Sequence, residues 1–252
     1  IKGGTLRWTD EQRGAPELAL TDVNLVLRNG NWRHHMRLDA TPPPDWGDRF
    51  TLAGLFRAPL LRARDGNWKH WNGQVFADFA RVDVSQLHRH AQIDGVNVAE
   101  GRGALRAWAD FQRGELTGGT ADLALADVNA TLGKDLQALK LHAVQGRLGG
   151  RRLAGGFELF TQGLQFQTRD GLNWPGGNVR LVHTDASGKL PAQGDFRADR
   201  LDLAALAQIG ARLPLSAAAH HALTTYAPRG LVDEVSATWR GPVDALQAYQ
   251  LR

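Results

Sequence analysis

ELALTDVNLVL at residues 17–27 returns as DLALADVNATL at residues 122–132. Seven of the eleven positions are identical: Leu18/Leu123, Ala19/Ala124, Leu20/Leu125, Asp22/Asp127, Val23/Val128, Asn24/Asn129 and Leu27/Leu132. A second pair follows in the same order. Arg81-Val82-Asp83-Val84-Ser85-Gln86-Leu87 matches Arg200-Leu201-Asp202-Leu203-Ala204-Ala205-Leu206 as R-[VL]-D-[VL]-x-x-L. The first pair is offset by 105 residues and the second by 119. Repetition on this scale points to a modular β architecture in which each unit leans on the next. It argues against one compact enzyme core with a single site.

Alternation with period two dominates the rest of the chain. It runs through Thr5–Thr9, Asn31–Arg33, His35–Asp39, Phe157–Phe160, Leu164–Gln167, Asn178–His183 and Val235–Trp239. Such segments are half-buried antiparallel strands, apolar on one side and polar on the other. Between them stand Arg28-Asn29-Gly30-Asn31, Arg64-Asp65-Gly66-Asn67, Arg169-Asp170-Gly171 and Asp185-Ala186-Ser187-Gly188. Asn-Gly and Asp-Gly supply the positive φ angles of tight hairpins. Pro42-Pro43-Pro44 reads as a stiff loop between two strands. Gly101-Arg102-Gly103 and Gly118-Gly119 read as bulges or hairpin turns.

Helix is expected in few places. Ser85 to about Gln92 follows the first R-V-D-V, and Leu203 to Ile209 follows the second. Ser216 to Tyr226 reads as a short helix with Ser216 as N-cap. Each unit is thus a run of strands closed by a helical tail. The expected blocks are 1–95, 96–229 and the start of a third at 230–252.

Composition sets further bounds. A chain of 252 residues with 42% hydrophobic and 22% charged residues can bury a core and is not expected to be disordered. There is no cysteine, which rules out thiol catalysis, thiolate metal sites and disulfides. The 30 basic and 26 acidic residues are interspersed, so the basic pI is a surface property and not a nucleic-acid signal. No apolar run is long enough to span a membrane and no signal peptide opens the chain. With Ile1 first and a single methionine, Met36, the chain reads as a segment of something longer, any anchor lying outside it.

Catalytic and metal patterns are not found. His34-His35 and His220-His221 point apart on a strand, and His88 and His90 share a face only in extended chain. There is no H-E-x-x-H and no calcium loop. Ser85, Ser187, Ser216 and Ser236 lie in no nucleophile motif. The glycine pairs lack the strand–loop–helix frame of a dinucleotide site. No catalytic residue, metal or cofactor is therefore expected. Of the eight tryptophans, Trp8, Trp32, Trp108 and Trp239 fall in alternating strands and are expected to face inward. Trp46, Trp68, Trp71 and Trp174 lie near turns, where exposure would suit a sugar platform or a membrane interface.

The order of these motifs resembles a known family. After the two repeats come Gly146-Arg147-Leu148, the Leu164-x-Phe166 strand, Asp170-Gly171-Leu172-Asn173-Trp174-Pro175 and an Ala-rich helix ending Ala227-Pro228-Arg229-Gly230. Together they resemble the AsmA-like family of Gram-negative envelope proteins, YhdP type, over most of the chain. The resemblance implies a mainly β fold, an elongated, taco-like antiparallel β-groove built from repeated strand blocks with short helices. It implies an inner-membrane anchor outside this segment, a periplasmic body, possible outer-membrane partners, and phospholipid transport between the membranes. It brings no catalytic residues and no nucleic-acid partner. The lipid-groove candidates are Leu18, Leu20, Leu25, Leu27, Leu123, Leu125, Phe157, Leu159, Leu164 and Phe166. A glycan-binding β-sandwich or β-solenoid module is the alternative, and a ligand-free envelope scaffold the third reading. What separates them is whether the apolar strand faces stay open or close against a second sheet.

Overall fold

The computed structural model describes residues 1–10, 15–59, 68–90, 95–242 and 248–252. The fold is mainly β. Its strands are β1 (Gly4–Asp10), β2 (Ala15–Asn29), β3 (Arg33–Thr41), β4 (Phe50–Arg57), β5 (Asn72–Asp83), β6 (Asn97–Gln112) and β7 (Glu115–Thr131). They continue with β8 (Leu139–Leu153), β9 (Gly156–Thr168), β10 (Asn173–Trp174), β11 (Val179–Thr184), β12 (Gln193–Asp202), β13 (Leu231–Arg240) and β14 (Ala248–Leu251). These strands form one sheet whose order follows the chain, with β10 pairing back onto β9. Among the described residues there are three short α-helices: α1 (Val84–His90), α2 (Leu203–Ile209) and α3 (Ala217–Tyr226).

The chain divides into two compact units. One comprises Ile1–Gln92 with Arg102–Leu123, the other Ile93–Gly101 with Ala124–Arg252.

The repeats build the same local structure twice. In the first motif Asp22 takes a left-handed backbone with φ 47°, and in the second Asp127 does so with φ 53°. At the first motif the strand register between β2 and β3 shifts between Thr21 and Asn24. The extra residue lets Leu20 and Val23, of opposite parity, both be buried. Val128 is buried in the second motif as Val23 is in the first. The carbonyl of each left-handed Asp accepts from an arginine: Arg49 Nη1 lies 2.8 Å from Asp22 O, and Arg169 Nη2 lies 3.2 Å from Asp127 O. Asp tolerates this conformation and a β-branched residue does not. Asp22→Val should therefore cost about 1–2 kcal/mol, while Asp22→Gly keeps the fold. Urea denaturation of the two variants measures the difference.

The second repeat is a strand end that turns into a helix. Val82 and Leu201 are buried, and the next residue is the helix cap. Asp83 Oδ1 accepts from the Ser85 N–H at 3.0 Å at the start of α1. Asp202 Oδ1 accepts from the Ala205 N–H at 2.9 Å at the start of α2. The expected helix over 203–209 is α2. The one expected from Ser216 is α3, with the Ser216 side chain accepting from Ala219 N. The first helix begins as expected, and residues 91 and 92 of its expected extent lie outside the described residues. The turn expected at 64–67 also lies outside them.

Of the two alternatives for the glycine pairs, bulge or hairpin turn, the hairpin turn is excluded. Gly101 and Gly103 are inside β6, and Gly118 and Gly119 are inside β7, so none of them makes a hairpin turn. Gly103 pairs with Val82 directly beyond a register shift between Phe79 and Val82, so the irregularity at this pair is a bulge within the ladder.

Candidate functional site

Strand register decides which side chains share a face, because residues directly opposite in an antiparallel pair point the same way. In the first unit one row reads Leu25, Leu38, Leu52, Ala77 and Ala107 across β2 to β6. The next row reads Leu27, Met36, Gly54, Val75 and Ala109. Neither row holds a polar side chain, and each spans about 19 Å at ordinary strand spacing. The other face of the same strands is mixed. One of its rows is Asn24, Asp39, Thr51, Asp78 and Arg106.

The second unit repeats the plan. Gly150, Leu159, Leu181, Phe196, Ala237 and Leu251 form a row across β8, β9, β11, β12, β13 and β14. Beside it run Leu148, Thr161, Val179, Ala198 and Val235. On the opposite face the row is Arg151, Glu158, Val182, Asp195, Thr238 and Gln250.

Each apolar face is closed at one end by its own chain. In the first unit Leu18, Leu20, Val23, Ala40, Phe50, Phe79 and Val82 form a buried cluster. Trp46, from the loop after β3, and Val84 and Leu87, from α1, pack against it. The loop is tied down by the Asp83 N–H to Trp46 O bond of 2.7 Å and by the bridge between Gly47 and Val82. In the second unit Ala205 and Ile209 of α2 are buried with Ala198, Leu201 and Trp174. Val128, Ala130, Leu139 and Leu141 form a third cluster beside them.

Away from these ends the apolar faces reach solvent at some positions, while Met36, Val75, Leu181 and Phe196 are half-buried and Gly54 is buried. Leu27 is 59% exposed, Leu159 49% and Leu251 70%. Among the described residues no second sheet covers either face.

The ten groove candidates separate along this gradient. Leu18 and Leu20 lie in the closed end of the first unit, Leu25 packs against that cluster, and Leu27 is on the open part of the same strand. Leu123 is half-buried, and Leu125 packs against the third cluster. Phe157 and Leu159 are exposed on the open face, Leu164 is half-buried, and Phe166 packs against Trp174 with ring planes 3° apart. Sequence reading missed Met36, Leu52, Val75, Leu181 and Phe196. They were missed because membership of a row follows from cross-strand register, which a single strand does not reveal.

The tryptophans also need correction. Trp174 is buried although it neighbours a turn, because the two-residue β10 folds it onto Phe166. Trp108 lies in the register row of Phe76, on the face opposite the apolar rows, where the two rings pack at 5.3 Å. Trp8 is 43% exposed, although it faces the apolar side opposite Leu18. Trp71 stacks on His34 with centroids 3.9 Å apart.

Electrostatics concentrate on the polar faces and edges. Glu158 is buried on the polar face of the second unit. Burial raises its carboxyl pKa, but hydrogen bonds from Arg180 (2.7 Å) and Arg151 outweigh it, and the net shift is downward. Hydrogen bonds from Arg37 and Thr51 lower Asp39. The Arg212 guanidinium, with help from Thr168, holds Asp170 down at about 2. A carboxylate whose folded pKa is depressed is stabilising above its unfolded value and loses that contribution as pH falls. The melting temperature should therefore drop on acidification from about pH 4 to about 2, and Arg212→Met should flatten the lower part of the drop. A scan of melting temperature against pH for both proteins checks this.

The sheet is antiparallel and open, with apolar rows on one face and a mixed face opposite, which makes this a mainly β protein of the open-sheet class and not a closed sandwich. The chain belongs to the YhdP family, which matches over residues 1–252, and this is a family of the cell envelope. No curated protein and no solved structure matches it. Among the described residues no helix is long and apolar enough to cross a membrane, and no group of three or more His, Cys, Asp or Glu side chains is placed to hold a metal.

Proposed function

We propose that each unit is a station of a lipid conduit. The chain is then a non-enzymatic, periplasmic segment of an inner-membrane-anchored protein that moves phospholipid between inner and outer membranes. One observation carries the reading: the rows through Leu27 and Leu159 are free of polar side chains across five and six strands, with Leu27, Leu159 and Leu251 exposed and most residues between them half-buried. Exposing an acyl chain to water costs about 0.8 kcal/mol per methylene. Such a row offers the chain an apolar wall with no polar group to hold it at one point, so it can slide. The headgroup stays in water above the strand edges.

A photoreactive residue tests this directly. Leu27 and Val26 are neighbours of similar character, both apolar and exposed, yet they face opposite sides of β2. Leu159 and Phe160 are the matching pair on β9. Phospholipid adducts are expected at positions 27 and 159 and not at 26 and 160. Leu159→Arg should abolish the adduct at 159's neighbours in its row while the chain stays folded. Equal labelling on both faces, or none on either, defeats the reading.

A further inference from the structure

The polar face of the first unit contains a recess that the lipid reading does not use. It has a volume of about 430 Å³ and is lined by Val26, Ala53, Leu55 and Phe76 together with Arg28, His35, Arg37 and Gln74, and it also touches Met36 and Gly54 of the neighbouring apolar row. Val26 is 44% exposed and Leu55 48%. Both belong to the face opposite the acyl-compatible rows.

The charges around this recess are lopsided. On one side of it the strand register places Asp39, Asp78 and Arg106, which are paired internally: Arg106 with Asp78, and Arg37 with Asp39. On the other side it places Arg28 opposite His35, and Arg33 directly opposite Arg57. Like charges directly opposite one another in a sheet are destabilising. Among the described residues no carboxylate engages Arg28, His35, Arg33 or Arg57, and the guanidinium of Arg33 lies over the Trp32 ring at 4.2 Å. Asp110, in the row of Arg28, accepts from Gln74 at 2.8 Å.

We propose that this recess docks an extended acidic segment of a partner protein, with one large apolar side chain in the pocket and carboxylates two and four residues along. The spacing follows from the strands. Successive same-face rows are about 7 Å apart, so carboxylates at alternate positions of an extended peptide reach first Arg28 and His35, then Arg33 and Arg57. Charge complementarity selects the occupant. A second copy of this chain would bring the same cations against each other. An acyl chain is disfavoured because Arg37 interrupts the row between Val26 and Ala53. The proposal stands on this face alone and does not depend on the lipid reading.

Fluorescence anisotropy with labelled peptides tests it on the intact chain. The probe is a Thr-rich peptide with one Phe and two Glu at alternate positions. The comparison peptides replace Phe by Ser, or both Glu by Lys. At low ionic strength the Phe/Glu peptide should bind at least about tenfold tighter than either comparison and weaken with added salt. Arg28→Glu with Arg57→Glu should reverse the preference toward the Lys peptide. Both side chains are exposed, so the fold is retained, and an unchanged melting curve confirms that. Leu27→Asp, on the opposite face, should leave peptide binding unchanged. Three indistinguishable peptides, or a preference untouched by the double reversal, overturn the proposal. Retention of the chain by phosphatidylglycerol vesicles with loss on the same reversal, but no peptide preference, also overturns it and assigns the surface to a membrane.

Discussion

Leu20→Asp should unfold the first unit, and Leu27→Asp should leave it folded. Both residues are leucines of β2 and both face the apolar side, yet one is 4% exposed and the other 59%. At position 20 the carboxylate would be driven into a cluster of Leu18, Val23, Ala40 and Phe50, with no described partner in that cluster. Such a burial costs several kcal/mol, about 4 or more, which is a large part of a domain's stability. At position 27 the carboxylate reaches water, and the change should stay within about 1 kcal/mol. Urea midpoints of the two variants measure the gap. Equal loss at both positions would mean that the face is sealed along its whole length, and the conduit would fall with it.

Gly47→Ala should be nearly as damaging, by a different route. Gly47 has φ 146°, and a Cβ there would collide with the backbone carbonyl of Arg81 and sit 2.9 Å from the Val82 Cα. These are backbone atoms of β5, so no side-chain rotation relieves the clash. The loop carrying Trp46 must lift, and the closed end of the apolar face opens. A loss of at least about 2 kcal/mol is expected, with increased binding of a hydrophobic dye. Asp48→Ala, which removes only the exposed pair with Arg81, should cost no more than about 1 kcal/mol. If the two variants melt together, the strap contributes nothing to closure.

Much of this fold is legible from residue order alone. Period-two alternation marks β3, β9, β11 and β13, and Asp83 and Asp202 announce the helices that follow them. What stays hidden is the sidedness. A bulge at Asp22 or Gly163 reverses the parity of everything beyond it, so Leu20 and Val23 share a face although three residues apart. Trp108 alternates faultlessly and still points to the polar side, because alternation fixes parity within a strand and says nothing of which parity meets the core. Arg49 and Arg169 hold the equivalent Asp22 and Asp127 carbonyls from unrelated places in the chain, one ahead of β4 and one after β9, and no motif links them. The groove candidates chosen from the repeats therefore include residues of the closed end, while Leu181 and Phe196, outside both repeats, complete the open row.

The strand order carries one more consequence, and it concerns how the chain reaches this state. Each long strand pairs with its sequence neighbour, apart from the short β10 excursion, so hairpins can close locally without first bringing distant segments together. The entropy lost per closure is small, and a β protein wired this way should fold faster than a Greek-key sandwich of equal size. A growing chain could add strands one at a time onto an existing edge, with each hairpin templating the next. The corollary is weak global cooperativity: hydrogen exchange should reveal the two helix-closed clusters as the slowest regions, with the open rows exchanging well before them.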